Sequence, residues 1–346
     1  MLTMLVAYKQ LSPGDTPSPA IKKLVAILKQ HPRFEEDFAA AMPKGLSEDG
    51  EARWLLCRAS VWPDQIRIDR ENPPSYPPEP AKQGSYHRGI WHYIDTPLVI
   101  VADGTGADQL KALEERARSL QHLSTGVPVK EKYVMNVLQA IAYNREKFAH
   151  GKPAQQAVAL CWLLHTLGDI HQPLHATAVF SAVLLDPAAH PHGDAGGNAI
   201  GLGEKRNLHA LWDAAPDAAP ETGYDPGESF DARYHRAYSR ALKQIDGLLS
   251  DAILNAQGKL AAGEKDPKQW ARESFELAKE KVYVAEIRKQ ILAADQGPKH
   301  AAADDHGPAV VVQLPDGYRA RAHELGKLRV VQGGYRTAEF LKTQLQ

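Results

Sequence analysis

The chain has 346 residues, 43% of them hydrophobic, which suffices for one large core or two modest ones. Its 41 Lys and Arg nearly cancel its 42 Asp and Glu. No global basic field can therefore recruit nucleic acid, and an anionic substrate would have to be captured locally. Two cysteines, Cys57 and Cys161, exclude a disulfide framework and a CxxC metal site. They read as small buried hydrophobes, with one bridge as the alternative. No apolar run approaches the roughly 18 residues of a membrane span.

Helical periodicity dominates in chain order. Ser18 reads as an N-cap with Pro19 at the first helical position, and Ile21, Leu24, Val25 and Leu28 mark one face. Val134, Leu138, Ile141 and Phe148 repeat the pattern over 130–149. Tyr238, Leu242, Ile245, Leu249 and Ile253 continue it in a long segment near 230–262, and a final helix is expected near 316–344. Strand signals are scarce, with VVVQL at 310–314 the one short candidate. Pro73, Pro74, Pro77, Pro78 and Pro80 make 69–90 a Pro-rich insertion loop, Pro, Gly and His fill a second loop at 186–207, and 293–309 reads as a flexible insertion. The expected fold is mostly α: one multi-helix domain over 1–346 with long loops.

The composition has one anomaly, 15 histidines, several bunched between 165 and 209. His165 and Asp169 lie four apart, so on a helix the imidazole and carboxylate share a face and can converge on one cation. His209 and Asp213 repeat the spacing. One such pair is more often an ordinary hydrogen bond; two pairs and a third histidine point to metal. His175 would sit about 80° around the helix from His165 and about 9 Å beyond Asp169, so it should serve a different ion. Pro173 is expected to kink or end the helix before it. The spacing therefore suggests two neighbouring sites, one on His165 and Asp169, the other on His175, His209 and Asp213. Mixed imidazole and carboxylate donors suit zinc, with manganese or iron as alternatives.

HTLGDIHQPLHA (165–176), GDAGGN (193–198) and NLHALWD (207–213) resemble the signature blocks of the zinc-dependent single-strand nuclease and phospholipase C superfamily, closest to its nuclease branch. ASVWPDQIR (59–67), WHYID (91–95) and the closing RVVQGGYRTAEFL agree with it. The resemblance implies a phospholipase C/nuclease-like helical bundle. It also implies that Asp64, His92, His165 and Asp169 hold one zinc and that His175, His209 and Asp213 hold a second; Asp169 is the candidate for orienting a bridging hydroxide. Asn198 would contact substrate phosphate, with Gly196 and Gly197 allowing close backbone approach. Asp95 reads either as a partner orienting an imidazole or as a plain carboxylate. His171 is read as supporting the ligands rather than joining them, and His190 and His192 as solvated loop residues.

The family's third zinc uses an N-terminal Trp and a His five residues later, together with Asp169. Val6-Ala7-Tyr8-Lys9-Gln10-Leu11 fits the tail of that N-terminal pattern, and counting back places its His immediately before Met1. The expectation is a start upstream of Met1 carrying a signal peptide, the Trp and the His, which would make the protein secreted or periplasmic; a two-zinc variant is the alternative. No export signal is visible as the chain stands. The expected activity is a zinc-dependent endonuclease and 3′-nucleotidase acting on single-stranded DNA and RNA, as a monomer without a membrane span. Trp91 and Tyr93, with Tyr76 and Tyr86, are the candidates for stacking on bases. The competing readings are a zinc phospholipase C and a metal-binding protein that has lost catalysis.

Overall fold

The computed structural model describes residues 1–66, 79–80, 82–119, 135–181, 192–203, 206–217, 228–295 and 308–346. Helices account for most of them. The first four, α1 (Leu2–Leu11), α2 (Pro19–Leu28), α3 (Phe34–Asp37) and α4 (Glu48–Gln65), are followed by α5 (Ala107–Ser119), α6 (Val137–His150) and α7 (Pro153–Asp169). Then come α8 (Leu208–Ala214), α9 (Phe230–Ser250), α10 (Ala252–Ala261), α11 (Pro267–Leu277), α12 (Ala285–Asp295) and α13 (Tyr318–Leu345). The mostly α expectation is met. Ser18 caps α2 by accepting from Ile21 N at 3.3 Å, with Pro19 in the first turn. Among the described residues no helix is long and apolar enough to cross a membrane.

The long segment near 230–262 is not one helix. It breaks at Asp251, whose carboxylate accepts from Ile253 N and Leu254 N at 2.9 and 3.0 Å and so starts α10. The buried face changes phase there: Tyr238 and Ile245 are buried, whereas Ile253 is 75% exposed and Leu254 takes the inward position. Two parallel ladders complete the fold, and of their four strands only the last, Val310–Val311, lies in an expected stretch, VVVQL at 310–314. β1 (Thr96–Val99) pairs with β2 (Thr177–Phe180), Thr96 opposite Thr177, and β3 (Ile200–Gly201) pairs with β4 (Val310–Val311). Their four- and two-residue lengths carry no readable alternation. Within the Pro-rich loop, Gln83–Tyr86 and Gly89–His92 form short 3-10 turns, and α12 extends to Asp295 inside the stretch read as an insertion. Residues 67–78, 81 and 296–307 of those two stretches, and Tyr76, Val134 and His190, lie outside the described residues.

The main buried cluster is built on α1, α2, α4, α6 and α7, with Trp54, Trp62 and Trp162 each nearly inaccessible. α1 lies against α13 so closely that a Cβ at Gly334 would stand 2.3 Å from Val6 Cβ. α13 also fixes the C-terminal end of α7. Arg329 and Arg336, two turns apart on one face, are 4% and 3% exposed. Arg336 donates to both carboxylate oxygens of Glu273 at 2.7 Å, and Arg329 donates to His171 O at 3.0 Å and Ser274 Oγ at 2.8 Å. A bidentate arginine clamp of this kind orients rigidly. It holds the stretch just past Asp169.

Candidate metal centre

Each of the seven candidate ligands stands at the end of an element or in a tight turn. Asp64 occupies the last turn of α4, His92 the 3-10 turn before β1, and His165 and Asp169 the last turns of α7. Helix α7 stops where Pro173 cannot continue it, and a 3-10 turn over Pro173–Ala176 swings His175 back towards the bundle. Asn207 caps α8 by accepting from Ala210 N at 2.8 Å, which places His209 and Asp213 one turn apart.

The side chains gather into two sets. In the first, Asp64, His92 and His165 each offer an atom within 4.8 Å of the others. His165 Nε2 lies 2.8 Å from His92 Nδ1, and Asp169 Oδ2 stands 3.0 and 3.1 Å from these two nitrogens. Asp64 is at 3.9 and 4.0 Å from the same atoms. In the second set, His175, His209 and Asp213 converge within 4.8 Å, with Asp213 at 3.6 Å from His175 Nε2 and 3.4 Å from His209 Nε2. Asp169 Oδ2 lies 3.8 Å from His175 Nδ1 and so stands between the sets. This is the division that the helical angles suggest.

Backbone carbonyls orient three of the imidazoles. Nδ1–H of His165 donates to Ser60 O, that of His175 to His92 O, and that of His209 to Gly196 O, each at 2.8 Å. A donated Nδ1 proton fixes the tautomer and turns a bare Nε2 lone pair to the centre, as a metal-ligating imidazole requires. The His175 to His92 bond also ties one set to the other. His92 differs: Nδ1 faces the centre, and its buried Nε2 has no hydrogen-bond partner among the described residues.

The electrostatics fit a cation. Burial pushes the Asp169 carboxyl up, but His165 and His175 beside it, with hydrogen bonds from His165 and His92, hold it well below the usual carboxylate range. Burial likewise opposes ionisation of Asp213, and the neighbouring His209 and His175 reverse the effect. His175 is pushed up to about 9, burial being outweighed by Asp169 and Asp213. Ionised carboxylates thus favour the protonated forms of His165 and His175, whose extra protons a divalent cation would displace, while burial holds His92 and His209 towards the neutral form. The donor set, two imidazoles with carboxylates at each centre and no thiolate, suits zinc.

A cavity of about 550 Å³ opens over both sets, lined by Asp64, His165, Asp169, His175 and Asp213, with Arg240 and Gln244 among its other walls. Several residues singled out from sequence lie elsewhere. Trp91 is 3% exposed, packed against Trp162 at 4.8 Å and Tyr143 at 5.7 Å, and Tyr86 is 4% exposed against Trp62. Neither presents a face to the metal cavity, so the stacking role is corrected for both. Tyr93 is half-buried beside His92 and does not line the cavity. His171 spends both ring nitrogens away from the ligand side chains: its Nδ1–H donates to Leu167 O and its Nε2 accepts from Arg336. Asp95 is buried, but the oriented imidazoles lean on carbonyls instead of on it. Cys57 and Cys161 are both free and buried, with no bridge between them.

Asn198 is exposed at the end of the glycine turn. Its Nδ2 donates to Ala195 O at 2.9 Å and its Oδ1 accepts from Asn207 at 3.2 Å, beside the start of α8. Gly196 and Gly197 have φ of 62° and 82°. The close approach they allow is to the chain itself, since a Cβ on Gly196 would stand 2.5 Å from Leu174 O. Supports beyond those predicted from sequence are Asn207, whose place before an apolar helical run is an N-cap signal, Gln172, which donates to Asp213 Oδ1 at 2.9 Å, and the carbonyls, which have no sequence signature.

Comparison with known proteins agrees with this geometry. Endonuclease 4 of Arabidopsis thaliana is 28% identical over 191 residues, 52% of this chain and 48% of that protein. Endonuclease 5 of the same plant is 27% identical over 196 residues, covering 56% and 54%, and Endonuclease 1 is 29% identical over 169 residues, covering 46% and 41%. The chain thus spans about half the length of these curated relatives. The S1/P1 Nuclease family matches residues 25–346, nearly the whole chain and all seven candidate ligands. With two His/Asp sets in one cavity and that match over the length, the chain belongs to the S1/P1 nuclease family.

Proposed function

We propose that the protein is a zinc-dependent phosphodiester hydrolase, an endonuclease and 3′-nucleotidase acting on single-stranded DNA and RNA. The observation that carries this reading is the pairing of three ligand imidazoles with backbone carbonyls, which presents their bare Nε2 atoms at two adjacent centres in one open cavity. The names of the relatives, endonucleases in each case, support the same substrate class.

Asp64, His92, His165 and Asp169 would hold one zinc, and His175, His209 and Asp213 the other. Zinc bound there would supply Lewis acidity and a water of lowered pKa. The chain's own groups do the rest. Asp169 stays ionised between the two sets, so its carboxylate can accept a proton of the attacking water and orient it for in-line approach. Asn198 uses one amide hydrogen on Ala195 O and keeps the other for a phosphoryl oxygen. Gln172 and the His92 carbonyl hold Asp213 and His175 in place, so little reorganisation accompanies the reaction.

The test is hydrolysis of single-stranded DNA, a 3′-nucleotide and phosphatidylcholine side by side, with His165→Ala as control. The expected result is cleavage of the nucleic acid and the nucleotide but not of the lipid. Loss of His165 should cost more than the roughly 10–100-fold attached to loss of an outer hydrogen-bond partner. Preferential lipid hydrolysis would identify a phospholipase C, and zinc binding without hydrolysis of any substrate would identify a protein that has lost catalysis.

A further inference from the structure

The turn between Gly193 and Asn198 is built around one buried carboxylate that has no part in the chemistry above. Asp194 is fully inaccessible. Its Oδ1 accepts from Val179 N at 2.8 Å, and its Oδ2 accepts from the hydroxyl of Tyr283, which is itself fully buried just past α11. The amides of Gly196 and Gly197 also donate to this carboxylate. Its backbone is anchored as well, with Asp194 N on Val179 O and Ala199 N on Asp194 O, both at 3.0 Å.

The turn it organises is conformationally expensive. Gly193, Ala195, Gly196 and Gly197 all have positive φ, and Ala195, at 50°, pays a penalty that glycine would not. A run of this kind persists only where its surroundings over-determine it. Amides curled around an anion are one such arrangement, and here the anion is the protein's own Asp194.

The output of the turn is His209. Gly196 O takes Nδ1–H of that imidazole at 2.8 Å, and Gly197 O takes its backbone N–H at 3.3 Å. Two consecutive carbonyls of the turn therefore fix both the ring and the main chain of one candidate ligand. Asn198, the next residue, meets the α8 cap through Asn207. We propose that Asp194, braced by Tyr283 and β2, is the positioning residue for the second metal set, holding the Gly196 and Gly197 carbonyls where His209 needs them. This rests on the reading of His209 as a metal ligand. Asp64, His92 and His165 take their support from other elements, so the effect should be confined to one of the two centres.

The experiment is zinc titration of the metal-free full-length chain against a competing chromophoric chelator. Wild type is compared with Asp194→Ala, Tyr283→Phe and His209→Ala. The expected result is that Asp194→Ala weakens one zinc equivalent by about 10–100-fold and leaves the other unchanged. Tyr283→Phe, which removes a single donor and keeps the ring, should weaken the same equivalent by less, and it carries the test alone if Asp194→Ala fails to fold. His209→Ala should abolish that equivalent. Wild-type affinity for both equivalents in the Asp194 and Tyr283 variants, alongside a loss in His209→Ala, would overturn the positioning role alone. Equal weakening of both equivalents would also overturn it, by showing a fold-wide defect. Two undiminished equivalents in His209→Ala would overturn the ligand reading, and the proposal with it.

Discussion

At the scale of single residues, chemistry and stability are separated by what each imidazole's second nitrogen meets. His165, His175 and His209 give Nδ1–H to carbonyls and face carboxylates. His31 has no such setting. It is 4% exposed, edge-on to Trp62 at 4.5 Å and Phe38 at 5.2 Å, and its Nδ1 accepts from Arg33 N at 3.1 Å. Burial pulls its pKa down to about 3 against the opposing pull of Asp37. The folded form thus takes up a proton less readily than the unfolded one. The stability contributed by neutral His31 is complete above its unfolded pKa of about 6.5 and is lost as pH falls from there towards 3. Urea unfolding at several pH values should show His31→Phe with a shallower acid slope than wild type, by up to about 1.4 kcal/mol per pH unit. Parallel slopes would show that His31 is not the titrating group. The His-x3-Asp pairs were legible because their spacing alone puts two donors on one helical face. Asp64 and His92 were legible only through the family blocks around them, since a single Asp or His at a helix end has no periodicity to mark it.

At the scale of elements, the long periodic helices could be read from the sequence, while their interruptions depended on capping. Asp251 was passed over because apolar residues continue on both sides of it, and only its carboxylate reaching Ile253 N and Leu254 N starts a new helix. The β1–β2 ladder went unread, whereas β4 falls in the VVVQL stretch, because Thr96–Val99 and Thr177–Phe180 gain their pairing from the tertiary fold, which brings the chain after His92 beside the chain after His175. Closure of the bundle depends on α1 lying on α13. Gly334 permits that approach, and an added Cβ would meet both Val6 Cβ at 2.3 Å and Thr3 O at 2.9 Å. Gly334→Ala should therefore lower the unfolding free energy by about 1–3 kcal/mol, the range for overpacking a filled core, as measured by chemical denaturation. A stability equal to or above wild type, as expected if only helix propensity mattered, would mean that α1 does not pack where it is placed here.

At the scale of the whole molecule, the proposed zinc centres would let a chain with almost no net charge address a polyanion. Cations concentrated at one cavity would do locally what a basic surface does diffusely. The fold serves this end. The ends of α4 and α7, the turn before β1, the turn after Pro173 and the start of α8 converge on one opening, while Arg329, Arg336 and Glu273 fix the closing helix against the end of α7. Sequence motifs marked the candidate ligands, but the aromatic residues near them misled, because Trp91 and Tyr86 are nearly inaccessible and line a separate cavity of about 280 Å³, not the one over the two His/Asp sets. The most direct test of the account is metal content measured together with cleavage. The purified chain is stripped with a chelator, its activity on single-stranded DNA is measured, and zinc is returned in steps while bound metal is counted. The account requires that cleavage be lost on stripping and return with zinc, that at least two ions bind per chain, and that Asp213→Asn remove one of them. Undiminished cleavage by the metal-free chain would contradict it.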